Sequence, residues 1–341
     1  MKKIRYPFSQ APPPGVCLEI TPGIKWLRMP LPGSLDHINL YLLEDQDGWF
    51  IVDTGLGTAE TQQAWQQIFH NELKGKPVKG IIATHMHPDH IGQAGWLTDY
   101  WQAPLYMSAG EHQLATKVYQ PNSETAVDET LLFYSRFGLD RDTAAARSEL
   151  WLNLSWPTTA LPNKFLTIKN GDELSIGMYH WRVVVGSGHS PEHACLFCEE
   201  LNLLISGDQI LPKITSNVSI YPNDPEANPL EKWLVSLQGF YQIPEQTLVL
   251  PAHNLPFTGL HFRAKTIIDH HEEICLSLER ACRKPKSGND LLPVMFKRKL
   301  NKFEWALAIG ECGAHLNYLS QNERLIRHVS DEGYYLYAHN G

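Results

Sequence analysis

Long hydrophobic runs are absent from the sequence, and their absence excludes a transmembrane helix from the expected fold. No stretch of the 341 residues approaches the roughly 20 apolar residues that a helix needs to cross a bilayer. The first residues are basic, but prolines at positions 12–14 follow them instead of an apolar segment. We therefore expect no secretory signal, no membrane partner and a cytoplasmic location.

Cysteine is scarce as well, and the few cysteines are not arranged like a disulfide framework. Six are scattered through the chain: Cys17, Cys195, Cys198, Cys275, Cys282 and Cys312. Cys195 and Cys198 have a spacing found in zinc sites, but no second pair accompanies them and their surroundings predict a strand. We interpret these two as core thiols and expect reduced, buried cysteines throughout.

Positive charge is not in excess either. The 29 Lys and Arg against 37 Asp and Glu give a formal net charge of −8. From Ala264 onward 11 basic and 10 acidic residues give +1, so the 18 basic and 27 acidic residues before it give −9. This balance does not attract nucleic acid. Basic clusters at 283–286 and 297–302 would suit phosphate contacts, but we favour a solvated or packing surface because their segment is nearly neutral.

Apolar segments separated by turn residues predict the architecture. Two blocks of strands with interspersed helices, at about 16–108 and 165–251, favour an α/β sandwich of two sheets covered by helices. Residues 109–160 have helical spacing with several breaks, so we interpret them as a helical insertion. Helices and then a hairpin follow residue 262. We therefore expect two domains, residues 1–261 and 262–341, the second small and winged-helix-like.

Residues able to bind metal concentrate after one predicted strand, Val78–Thr84. The strand runs directly into the segment His85-Met86-His87-Pro88-Asp89-His90. Neutral imidazole and carboxylate are ligands that zinc, manganese and iron accept. Such a compact cluster is hard to explain by chance, and it predicts a metal site.

Three further residues each follow an apolar strand: His189, Asp208 and His253. Alone, each is more often a hydrogen-bonded structural residue than a ligand. Together with the histidine cluster they predict side chains that converge at strand ends. Glu111 and His112 begin the insertion, and there we favour the exposed start of a helix over extra ligands.

This ordered set resembles the metallo-β-lactamase-fold superfamily of metal hydrolases, with a ligand set like that of glyoxalase II. The resemblance covers about residues 17–260 and implies an αββα sandwich. It implies that one metal is held by His85, His87 and His189, and a second by Asp89, His90 and His253. It also implies that Asp208 bridges the two metals. Asp53 would lie behind the ligands and fix the tautomer of one imidazole.

The C-terminal segment is similar to a winged-helix domain attached to one branch of that superfamily. The residues that carry this similarity are the predicted helix Thr266–Arg283, the run 314–319 and the hairpin that ends near Tyr337. Some relatives with such a tail act on single-stranded RNA or on thioesters. The sequence leaves oligomeric state open, a homodimer included.

The resemblance implies a hydrolase that uses two divalent metal ions, zinc first, with iron or manganese as alternatives. A metal-bound hydroxide would attack the substrate, and Asp89 would orient it. The aromatic insertion would cover the cleft as a lid, which favours a small acyl ester, thioester or lactone. A phosphodiesterase or single-strand ribonuclease is the alternative, and a non-catalytic regulator that binds nucleic acid ranks lower.

Overall fold

The computed structural model describes residues 3–33, 35–119, 124–154 and 156–340, without the side chains of residues 124 and 125. Part of the expected insertion, at 120–123 and 155, lies outside the described residues. By their contacts the residues form two units. One comprises Met1–Gln120, Trp156–Ser216 and Gly239–Ala264, and the other Pro121–Ser155, Asn217–Gln238 and Lys265–Gly341.

The first unit contains two sheets, which confirms the expected α/β class. The strands, in chain order, are β1 Cys17–Thr21, β2 Ile24–Pro30, β3 His37–Glu44, β4 Trp49–Val52, β5 Val78–Ile82, β6 Leu105–Met107, β7 Leu166–Thr167, β8 Glu173–Ile176, β9 Tyr179–Gly186, β10 His193–Cys198, β11 Leu203–Gly207 and β12 Leu248–Pro251. One sheet has the order β1-β2-β3-β4-β5-β6-β7 and the other β12-β11-β10-β9-β8. Neighbours from β4 to β7 are parallel, as are β11 and β12.

Alternating side chains of the seven-stranded sheet enter two different cores. On β3, Leu40 and Leu42 pack in the same core as Trp65 and Ile68, whereas Tyr41 enters a core that includes residues of the five-stranded sheet. This period of two is what a strand buried on both faces requires. The helices of this unit are α1 Ala59–Asn71, α2 Pro88–Ile91, α3 Ala94–Trp101 and α4 Ala109–Val118.

The second unit is mainly helical, with one small sheet. Its helices are α5 Glu124–Arg136, α6 Arg141–Leu152, α7 Pro229–Gly239, α8 Leu260–Ala281 (which begins within the first unit), α9 Gly288–Met295 and α10 Lys302–Gln321. The strands β13 Lys286–Ser287, β14 Leu325–Val329 and β15 Tyr335–His339 form a sheet of order β13-β15-β14. Capping boxes at Ser287 and Asn301 fix where α9 and α10 begin.

Part of the expected insertion packs with the C-terminal segment. Phe137 accepts a hydrogen bond from the backbone N–H of Asn289 through its carbonyl, and its ring lies where a side chain at Gly288 would go. Helices α5 and α6 therefore belong to the second unit. The domain boundary after residue 261 stays a prediction. None of the described helices has both the length and the apolar character needed to cross a membrane.

Candidate metal centre

All seven predicted ligands lie together in the first unit, each beyond the end of a strand. The histidine segment follows β5 after two residues, and proline at the first helical position of α2 turns Asp89 and His90 into that helix. The other three follow β9, β11 and β12. Their candidate ligand atoms form two groups, the first being His85, His87, His189 and Asp208, and the second Asp89, His90 and His253.

The first group consists mainly of imidazole nitrogens that face each other. His85 Nε2 lies 2.8 Å from His87 Nδ1 and 3.2 Å from His189 Nε2. His189 Nε2 in turn lies 3.4 Å from Asp208 Oδ2. Three ring nitrogens at such distances form the kind of site that suits a cation accepting their lone pairs.

The second group has more carboxylate character. Asp89 Oδ2 lies 3.4 Å from His253 Nε2 and 3.6 Å from His90 Nε2. Asp208 reaches this group with its other oxygen, because Oδ1 lies 3.3 Å from His253 Nε2 and 3.7 Å from His90 Nε2. Asp208 thus faces both groups, one oxygen toward each.

Two buried polar atoms without hydrogen-bond partners in the described ranges indicate whether these residues suit metal ions. His90 Nε2 and Asp208 Oδ1 have no hydrogen-bond partner anywhere in the described part of the chain, although they face each other. A buried polar atom without a partner costs about 1–3 kcal/mol and is uncommon in folded proteins. A divalent cation would satisfy both atoms. The residues are therefore compatible with a two-metal site.

Hydrogen bonds behind the site set the orientation of two imidazoles. Asp53 Oδ2 accepts the Nδ1–H of His90 at 2.8 Å, and the carbonyl of His37 accepts the Nδ1–H of His253 at 2.8 Å. With Nδ1 protonated, the neutral ring carries its lone pair on Nε2, the atom that faces Asp208 in both residues. Asp53 itself has a left-handed backbone, with φ at 59°.

Charge differs between the two groups. Burial lowers the pKa of His87 to about 3 and holds the pKa of His85 well below its ordinary value. Burial also opposes protonation of His253, but the carboxylates of Asp208 and Asp89 outweigh it and raise the pKa to about 10. His90 has a pKa well above its ordinary value for the same reason, with Asp53 as its strongest partner. The carboxylates thus attract positive charge to the second group.

The prediction that Glu111 begins an exposed helix surface is wrong. Glu111 lies in the first turn of α4, but its side chain is fully buried. Its carboxylate accepts hydrogen bonds from the backbone N–H groups of Met86 and Glu192, which belong to the loops that carry His87 and His189. His112 is partly buried and its ring stacks on Phe165. No motif in the sequence signals this environment.

His193 and Thr84 were also missed. His193 Nε2 accepts the backbone N–H of Asp208 at 3.0 Å, and its ring stacks on that of His85 with centroids 4.6 Å apart. Thr84 donates its hydroxyl to Asp53 Oδ2 at 2.9 Å, and its backbone N–H to Oδ1 at 2.8 Å. Both residues lie near predicted site residues in the sequence, but their partners, Asp208 and Asp53, are 15 and 31 residues away.

Comparison with known families gives two matches along the chain. A family model described as the metallo-beta-lactamase superfamily matches residues 33–253. A second, described as the metallo-beta-lactamase-like C-terminal domain, matches residues 275–340. The two matches cover most of the α/β part of the chain and most of its C-terminal segment.

Individual proteins resemble the chain over most of its length. A crystal structure of a beta-lactamase domain protein from Burkholderia ambifaria has a TM-score of 0.90 and 39% identity, covering 98% of each chain. A probable metallo-hydrolase, YqjP of Bacillus subtilis, is 23% identical over 88% of this chain and 92% of its own. A hydroxyacylglutathione hydrolase from Yersinia enterocolitica is 26% identical over 42% of this chain and 55% of its own.

Proposed function

Because the chain belongs to the metallo-β-lactamase superfamily and is a metal-dependent hydrolase, we propose that it cleaves a small acyl ester, thioester or lactone. The observation that supports hydrolysis at a two-metal site is the position of Asp208, whose two oxygens face two separate groups of candidate ligands. The substrate class rests on the resemblance to known hydrolases. Among the three substrate classes we rank the thioester first. The Yersinia relative supports this rank, because its name describes hydrolysis of an acyl thioester.

We propose that the residues hold two divalent ions in the arrangement that the resemblance implies. One ion would take His85, His87 and His189, the other Asp89, His90 and His253, and Asp208 would contact both. When bound, the ions would lower the pKa of a water molecule and polarise the carbonyl group of the substrate. Zinc is the first choice because imidazole-rich sites suit it, with iron and manganese as alternatives.

Groups of the chain itself orient the water molecule and the imidazole ligands. The side chain of Asp89 keeps 18% of its surface exposed, more than the other residues of its group, so it can accept a hydrogen bond from a water molecule and orient it. Asp53 and the carbonyl of His37 fix the tautomers of His90 and His253. A thioester suits such a site, because a thiol with a pKa of about 8.5 leaves as a thiolate without a strong proton donor.

We also propose that the C-terminal module is winged-helix-like. Helices α8 to α10 are followed by the antiparallel pair β14 and β15, whose connecting turn lies at 330–334. Helices followed by a hairpin wing are typical of that architecture. The module's near-zero charge favours a packing role over binding of nucleic acid.

A substrate panel with matched variants tests the proposal. Purified protein should hydrolyse acyl thioesters or lactones, lose this activity with a chelator and regain it with Zn²⁺. Asp208→Asn should abolish the activity, whereas Asp99→Asn, an exposed aspartate of α3, should leave it unchanged. Cleavage of single-stranded RNA or of a phosphodiester, with no turnover of any acyl substrate, would overturn the proposed substrate class.

A further inference from the structure

We propose that Glu111 is a positioning residue that clamps the loop bearing His87 to the loop bearing His189. The proposal rests on the function proposed above, since it assumes that these loops carry metal ligands. It concerns the geometry of the first ligand group and assigns Glu111 no contact with substrate.

One carboxylate connects both loops. Glu111 Oε2 accepts the backbone N–H of Met86 at 2.9 Å, and Oε1 accepts the backbone N–H of Glu192 at 2.7 Å. Met86 lies between His85 and His87, and Glu192 follows His189 by three residues. The separation of the two loops is therefore set by the width of a single carboxylate group.

Helix α4 strengthens this attachment at further points. The hydroxyl of Tyr119, which follows the last residue of α4, donates to the carbonyl of Met86 at 2.9 Å. The N–H and the carbonyl of Met86 are thus both held from α4. At the other loop, Glu192 Oε2 accepts the N–H of Gly110 at 2.7 Å, and its carbonyl accepts the hydroxyl of Ser108 at 2.9 Å.

Burying a carboxylate costs free energy unless hydrogen bonds or an ion pair compensate for its lost hydration. Glu111 is fully buried, and among the described residues no lysine or arginine forms an ion pair with it. Burial accordingly raises its pKa, although the hydroxyl of Ser190 and the two backbone N–H groups oppose that shift. Two N–H donors from different loops require two acceptor oxygens. Glutamine offers only one, and its NH₂ would face the other donor.

Metal titration of variants tests the clamp without relying on activity. The full-length, metal-free protein is titrated with Co²⁺, and the visible absorption of the bound ion reports affinity and coordination geometry. Glu111→Gln should weaken binding at one site by about 10–100-fold and change the spectrum, as loss of a hydrogen bond behind ligands typically does. Glu60→Gln, an exposed glutamate in the first turn of α1, should change neither.

Tyr119→Phe provides a second, milder variant that keeps the side-chain ring. It should weaken Co²⁺ binding less than Glu111→Gln, and the double variant should lose less than the product of the two effects, because both residues hold Met86. Wild-type affinity and spectrum in Glu111→Gln would overturn the clamp, whatever happens to its melting temperature. Failure of the wild-type protein to bind Co²⁺ would instead overturn the proposed function, and the clamp with it.

Discussion

Replacing Asp53 with asparagine should disable His90 as a metal ligand while leaving the turn around it in place. Asparagine, like aspartate, is among the non-glycine residues that most often adopt a left-handed backbone, so the φ of 59° is no obstacle. In the wild-type protein the Asp53 carboxylate accepts three hydrogen bonds, two from Thr84 and one from His90 Nδ1. An amide has only one oxygen. If it keeps the backbone N–H of Thr84, its NH₂ group faces the imidazole.

The consequence for His90 is a change of tautomer. Facing an NH₂ group, Nδ1 would become the acceptor and the ring proton would move to Nε2, the atom that points toward Asp208. The lone pair needed for a metal is then lost. We expect the second ion to bind about 10–100-fold more weakly, which corresponds to about 1.4–2.7 kcal/mol. Hydrolytic activity should fall by at least the same factor.

Calorimetric titration of the metal-free protein with Zn²⁺ measures the affinity, and nitrogen-15 NMR of the imidazole reads the tautomer. Asp99→Asn is the matched control, since it makes the same change at an exposed aspartate of α3. Two ions bound by Asp53→Asn with unchanged affinity, or a His90 still protonated on Nδ1, would refute this reasoning.

Two predictions concern stability rather than metal. Glu311 is held by burial at a pKa of about 7, above its ordinary 4.5, so the folded state resists its ionisation. Stability should therefore fall as pH rises from about 4.5 through 7, and Glu311→Gln should flatten this part of a melting-temperature profile; an unchanged slope would contradict the assignment. Both amide atoms of buried Gln209 lack partners among the described residues. Gln209→Met should leave the free energy of unfolding unchanged or raise it by up to about 1 kcal/mol, whereas a loss above about 2 kcal/mol in urea denaturation would contradict this.

Local sequence predicted that the candidate side chains converge, because each follows a strand whose apolar pattern is short and clear. Their assignment to two metal ions came from the resemblance to the superfamily and stays a prediction. In the segment after His85, the local sequence pattern did not predict where the helices begin and end. The spacing of apolar residues predicts a single helix from His90 to Trp101, but α2 ends at Ile91 and α3 begins at Ala94. Between them the N–H of Gln93 bonds to the carbonyl of Gly55, and the carbonyl of Gly92 accepts the N–H of Thr159. These long-range bonds compete with the regular helix.

Glu111 illustrates the same limit within the site. Glutamate in the first turn of a helix is typically exposed, where it interacts favourably with the helix dipole. Its burial here depends on donors 25 and 81 residues away in sequence. The contact of Phe137 with Gly288, which places α5 in the second unit, is likewise invisible in either segment alone.

Metal content is the most direct test of the central claim, that Asp208 and six residues around it hold two ions. Elemental analysis of protein purified without chelator, then reconstituted with Zn²⁺ and dialysed, should give about two metal ions per chain, and Asp208→Asn should give clearly fewer. One ion or none in the reconstituted wild-type protein, or two ions retained tightly by Asp208→Asn, would contradict the account.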